Sequence, residues 1–129
     1  MSKMKRVNNV IRIPTSLSSK FFRYWFEFLA PFHKLTSREI DVMAGFVKHR
    51  YELSKVIKEN DILDKVTMDE DTKRKIREEY NITLPYFQVI MGRLRKSKMI
   101  IDNKINPRFI PNIVESDDSF KLLLLFEFK

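Results

Sequence analysis

The chain has 129 residues and a mass of 15.6 kDa, enough for one compact domain and too little for two ordinary ones. Hydrophobic residues make up 43% and charged residues 33%, a globular balance that excludes disordered and fibrous classes. There is no cysteine, and only two histidines (His33 and His49) and two glycines (Gly45 and Gly92) are present, which excludes disulfide scaffolds, thiol nucleophiles, cysteine-ligated metals and glycine-rich phosphate loops. This composition argues against most enzymes, and no catalytic or metal-binding set and no cofactor is expected.

The net charge is +8 and the isoelectric point about 9.8, which suits a polyanionic partner. Residues 1–60 hold 12 basic and 5 acidic residues, and residues 81–108 hold 6 and 1. Between them, residues 61–80 hold 5 and 7, and residues 109–129 hold 2 and 4, so the positive excess lies in two blocks. The basic start MSKMKR is followed by polar residues rather than an apolar signal core, and the run Leu122–Leu125 is far below the roughly 20 residues of a membrane span. A cytoplasmic protein with no membrane partner is expected.

In chain order, Val10-Ile11-Arg12-Ile13-Pro14 alternates and reads as a short strand closed by proline. Ser16, Ser18 and Ser19 offer caps for an aromatic helix from about Lys20 to Ala30, stopped by Pro31. Its clear polar stripe is the i,i+4 pair Arg23 and Glu27, so it must be covered on most sides, within the monomer or at a dimer interface. Thr36-Ser37-Arg38-Glu39 is a capping box opening a helix to about Lys58. Ile40, Met43, Ala44, Val47 and Tyr51 fall on one face of it, with Val42, Phe46, Leu53, Val56 and Ile57 nearly opposite, which makes it a central helix.

Residues 59–71 break this period, and Ile62, Leu63 and Val66 fit a helical turn or a short strand equally well. A short helix from Thr72 to Tyr80 follows, with Ile76 and Tyr80 on its inner face and Lys73, Arg74 and Lys75 at its start. Asn81-Ile82-Thr83 makes a turn, Thr83 caps the next helix, and Pro85 lies in its first turn, where its missing N–H costs nothing. That helix runs to about Ser97, with Phe87, Ile90, Met91 and Leu94 facing inward. Pro85, Gln88, Val89, Gly92, Arg93 and Lys96 face outward, flanked by Tyr86 and Arg95. Two strand-like runs, about 101–110 and 120–128, are joined by the acidic turn Glu115-Ser116-Asp117-Asp118-Ser119. The continuous apolar run Leu122–Phe126 suggests a strand covered on both faces or lying at a dimer seam.

Helix, short helix, tight turn, second helix and hairpin is the winged helix-turn-helix order. Residues 73–100 resemble the helix-turn-helix of winged-helix transcription regulators, with Ile76, Tyr80, Asn81, Ile82, Thr83, Phe87, Met91, Leu94, Met99 and Ile100 in the positions that carry the resemblance. It extends over the last two-thirds of the chain. It implies an α+β, mainly helical single domain: an extension over 1–35 with the added strand and aromatic helix, a helical core over 36–100 with the helix-turn-helix at 72–97, and a hairpin wing over 101–129. The size, basicity and low glycine content fit a small phage- or plasmid-type regulator.

The implied partner is double-stranded DNA, in the regulation of transcription or replication, and a homodimer is expected from the excess of apolar surface on helix 20–30, the two-faced central helix and strand 120–128. A helix of this diameter enters the major groove. Thr83, Tyr86, Gln88, Val89, Arg93 and Lys96 are the candidates for groove contact: glutamine pairs with adenine, arginine with guanine, and Val89 meets a thymine methyl. Lys73, Arg74, Arg95, Lys98, Lys104 and Arg108 are the candidates for phosphate contact. Three features depart from the family pattern: apolar Leu84, Pro85 and Val89 on the outer face, an acidic wing tip, and Lys98 where a glycine often stands. The rival reading is a winged-helix protein-interaction or phage assembly module whose apolar outer face meets a protein. His33 is expected as a loop side chain, His49 on a solvated face or at a phosphate, and Glu78-Glu79 and Asp69-Glu70-Asp71 as surface charge rather than a carboxylate nuclease site.

Overall fold

The structure, a computed structural model, describes residues 10–114 and 118–129. It is mainly helical, with one small antiparallel sheet. The elements are α1 (Ser19–Phe28), α2 (Ala30–His33), α3 (Ser37–Ser54), α4 (Asn60–Thr67), α5 (Glu70–Glu79), α6 (Leu84–Lys96), β1 (Ile100–Ile101) and β2 (Lys104–Ile105), followed by a 3-10 turn at Pro107–Phe109.

Helix α3 is the centre and touches α1, α4, α5 and α6. Thr36 Oγ1 accepts from the Glu39 amide at 3.3 Å while Glu39 Oε1 accepts from the Thr36 amide at 3.0 Å, the reciprocal cap that the sequence spells out. Ile40, Met43, Ala44 and Val47 are buried on one face, and Val42 and Phe46 on the other. The second face ends there. The helix stops at Ser54 rather than near Lys58, the Lys55 and Val56 amides bond i→i−3 before the Ile57 amide returns to Leu53 O at 2.8 Å, and Val56 is 78% exposed. The undecided segment 59–71 then turns back as α4, tied to α3 by Arg50–Asp64 at 3.1 Å.

Helix α1 is capped by Ser18 and buries Phe21, Phe22, Trp25 and Phe26 as one stripe against α3. Its other side remains open, with Phe28 half exposed. Pro31 starts the separate helical turn α2. His33 is not a loop side chain: it is buried, Nε2 donates to Phe26 O at 2.6 Å, and Nδ1 accepts from the Leu35 amide at 2.9 Å. Phe21, Phe22, Trp25 and Phe26 share one continuous core with α3, α6 and the hairpin, so α1 is part of the domain centre rather than an appendage.

Two expected strands are absent. Val10–Ile13 carries no strand, and Ile11 is 86% exposed, because no sheet edge lies beside it to take its hydrogen bonds. The hairpin wing does not span 101–129. It is two residues per strand, Ile100 opposite Ile105 and Ile101 opposite Lys104, and residues 120–128 form no strand. The physical reason is the pair Asp102-Asn103, both at positive φ (53° and 58°), which closes a two-residue hairpin loop. Of the acidic turn 115–119 expected as the wing tip, residues 115–117 lie outside the described residues.

Candidate nucleic-acid interface

Helices α5 and α6 end in the same way. After α5, the Ile82 amide donates to Arg77 O at 2.8 Å and the Asn81 amide to Glu78 O at 3.3 Å, with Asn81 left-handed at φ 54°. After α6, the Met99 amide donates to Leu94 O at 2.9 Å and the Lys98 amide to Arg95 O at 3.1 Å, with Lys98 left-handed at φ 63°. Both are Schellman caps. Asparagine takes the left-handed position readily, whereas lysine does so at a cost, so Lys98 is a site of backbone strain.

Between the two caps, Thr83 Oγ1 accepts from the Tyr86 amide at 3.4 Å and starts α6. Phe87, Ile90, Met91 and Leu94 are buried as their spacing predicts, which turns Tyr86, Gln88, Val89, Gly92, Arg93 and Lys96 to solvent on one exposed arc. Arg93, Arg95 and Lys96 stand in the last turn, where cations favour the negative end of the helix dipole. Arg93 lies 3.9 Å from Glu39 Oε2, so the capping carboxylate of α3 also attracts the guanidinium on the outer face of α6.

The hairpin brings the remaining cations to the end of α6. Arg95 and Lys98 line an open groove with Ile100, Ile101, Asp102 and Asn103. Asn106 holds this corner together. Its amide donates to Met99 O at 2.9 Å, its Nδ2 donates to Lys98 O at 3.0 Å, and its Oδ1 accepts from the Arg108 amide at 3.1 Å. The backbones carrying Lys98 and Arg108 are thereby fixed beside each other, with Lys104 on β2. Sequence reasoning missed both Asn106 and the Asp102-Asn103 turn. The signal was present in Ile100-Ile101-Asp102-Asn103-Lys104-Ile105, two apolar-containing pairs around a dipeptide suited to positive φ.

Residues 84–108 carry six basic side chains against the single acid Asp102. Among the described residues, Arg95, Lys96, Lys98, Lys104 and Arg108 make no ion pair. The α5 candidates differ. Lys73 pairs with Glu70 at 3.5 Å, and Arg74 pairs with Asp71 and, at 3.5 Å, with Glu78. Hydrogen bonds from Arg74 and Lys75 hold the Asp71 carboxyl below its usual range, and Asp71 in turn raises Arg74. Their charge is answered along their own helix, unlike that of Arg95, Lys96, Lys98, Lys104 and Arg108 among the described residues.

His49 is half-buried on α3; burial, and then the neighbouring Lys48, lower its pKa from 6.5. Among the described residues no group of three or more histidine and carboxylate side chains is placed to hold a metal, and no helix is long and apolar enough to cross a membrane. Comparison with known proteins gives no matching family model, no matching curated protein and no matching solved structure.

Proposed function

We propose that α5, α6 and the short hairpin act as a reduced winged helix-turn-helix, and that the chain binds double-stranded DNA as a homodimer to regulate transcription or replication. One observation carries the reading: the exposed arc of α6 carries Lys96 and ends beside Arg95 and Lys98, with Lys104 and Arg108 on the hairpin and turn that follow, none of them ion-paired among the described residues. Polyanion binding by unpaired cations releases counterions without first breaking a bridge. Tyr86, Gln88, Val89 and Arg93 then face the groove, and the hairpin cations take phosphates. No catalytic step is assigned to the chain.

Binding of the purified protein to random duplex DNA across a salt series tests this, followed by selection of preferred sequences. A steep salt slope with an enriched palindromic motif supports a sequence-specific dimer. A slope without a motif reduces the reading to non-specific binding, and no binding at low salt overturns it.

A second reading has its own observation. Leu84 and Val89 are 47% and 49% exposed at the start of α6, an apolar patch that suits a protein surface as in an assembly module. Leu84→Ser separates the two, because it weakens a protein contact and leaves the salt slope of DNA binding unchanged.

A further inference from the structure

The C-terminal run Phe120-Lys121-Leu122-Leu123-Leu124-Leu125-Phe126-Glu127-Phe128 has no part in the DNA-facing surface. Residues 118–129 make no backbone hydrogen bond to any other described residue. Phe120 anchors the run, packing edge-on against Phe21 at 5.5 Å and Trp25 at 5.4 Å between ring centres. Beyond it coverage alternates: Leu122 and Leu124, on the same side as Phe120 in a pleated chain, are 42% and 46% exposed, while Leu123 and Leu125 are 71% and 66% exposed. Phe126 and Phe128 then stand out at 80% and 96%. The segment has one wholly apolar side, free backbone donors and acceptors, and two phenylalanines that its own copy leaves bare. Such an edge is a template for pairing with another chain.

We propose that residues 120–128 pair antiparallel with the same residues of a second copy, about a twofold axis at Leu124. The charges select this register. It sets Lys121 opposite Glu127 twice, once on each side of the axis, with Leu122 opposite Phe126 and Leu123 opposite Leu125. A parallel in-register pair would face Lys121 with Lys121, and an antiparallel shift of two residues faces Lys121 with Leu125 or Lys129. A shift of one residue turns the apolar side outward. In the proposed register Phe128 lies opposite Phe120 of the partner subunit, beside the aromatic pair on which that ring is seated. The side chains that are bare in one copy are therefore covered by the other, as an isologous interface requires. The inference rests on the dimeric part of the functional reading and not on its DNA contacts.

The chain contains no cysteine, so an introduced one reports the register directly. Residues directly opposite in an antiparallel pair have Cα atoms about 5 Å apart, inside the disulfide range. Leu124→Cys therefore forms an intermolecular disulfide on mild oxidation and migrates at twice 15.6 kDa. Leu122→Cys, about 13 Å from its own equivalent in this register, does not. Equal cross-linking of both variants, or of neither, overturns the register.

The oligomeric state of the full chain is read by sedimentation equilibrium. The unmodified protein is a dimer, and the double variant Phe126→Lys, Phe128→Lys is a monomer with unchanged helical circular dichroism, since both side chains lie outside the core. Lys121→Glu and Glu127→Lys each weaken self-association about tenfold, and mixing the two restores it through a heterodimer in which both charge pairs are again opposite. A monomeric unmodified protein, or a dimer indifferent to these changes, overturns the proposal. A dimer that binds no duplex DNA leaves the seam standing and overturns the function instead.

Discussion

Trp25 Nε1 donates to the carbonyl oxygen of Phe109 at 2.8 Å, across 84 positions of chain, and both residues are buried. This bond locks the first helix to the turn that follows the hairpin. Trp25→Phe keeps an aromatic ring at this buried position but removes part of its volume and leaves the Phe109 carbonyl without its donor. A loss of about 1–3 kcal/mol is expected in chemical denaturation, the cost of an unsatisfied buried acceptor. A loss no larger than that of an exposed control such as Phe28→Tyr would show that the bond is not formed in solution.

Lys98 couples strain to charge. Lys98→Gly relieves the left-handed backbone and is expected to stabilise the fold by about 1 kcal/mol, whereas Lys98→Ala keeps the strain and gains nothing. Both remove one cation, so both should weaken duplex binding to the same degree. Thermal unfolding and a salt series on the two variants separate the backbone effect from the charge effect.

The unpaired cations should dominate the salt dependence. Alanine at Arg95, Lys96, Lys104 or Arg108 is expected to reduce the slope of log K against log salt by about 0.9 each if each contacts one phosphate. Lys73→Ala and Arg74→Ala should change it much less, because these side chains are already answered by Glu70, Asp71 and Glu78. Gln88→Ala and Arg93→Ala should relax sequence preference. A larger slope change from α5 than from the hairpin would move the phosphate contacts back to α5.

His49 and Tyr80 each make stability depend on pH. His49 has a pKa below 6.5 in the folded chain, through burial and Lys48, so the unfolded chain binds more protons around and below pH 6.5. Stability is therefore expected to fall as pH drops through that range, and His49→Gln should flatten the slope. Tyr80 is pushed up from 10.0 to about 12, by burial and then by Glu79. The unfolded chain loses this proton first, so stability falls as pH rises from about 10 toward 12. Tyr80→Phe removes that alkaline contribution. Denaturant titrations across pH check both slopes.

The two glycines should respond with opposite signs. A Cβ on Gly45 would sit 3.1 Å from both Cγ1 and Cγ2 of Ile76, a fully buried side chain with little room to give the few tenths of an ångström required, so Gly45→Ala should cost about 1–3 kcal/mol. A Cβ on Gly92 meets nothing within 4 Å, so Gly92→Ala should stabilise α6 by up to about 1 kcal/mol. Matching signs in thermal unfolding would contradict the packing of α3 on α5.

What was legible in the sequence is what depends on neighbours along the chain. The Thr36–Glu39 box, the Thr83 cap, and the inward face Phe87, Ile90, Met91 and Leu94 follow from spacing and hydrogen-bonding groups a few residues apart. The outward set Tyr86, Gln88, Val89, Arg93 and Lys96 follows by complement. The tertiary structure decided whatever needs a partner from elsewhere in the chain. Val10–Ile13 and 120–128 have strand-like composition, but a strand exists only where another edge accepts its hydrogen bonds. Among the described residues only Ile100–Ile101 and Lys104–Ile105 have one. Charge behaves in the same way. Lys48 and Lys98 look alike as cations on a string, and only the fold shows that Lys48 meets Glu79 at 3.2 Å while Lys98 makes no ion pair among the described residues, because such a pair is set by distance in space and not by position in sequence.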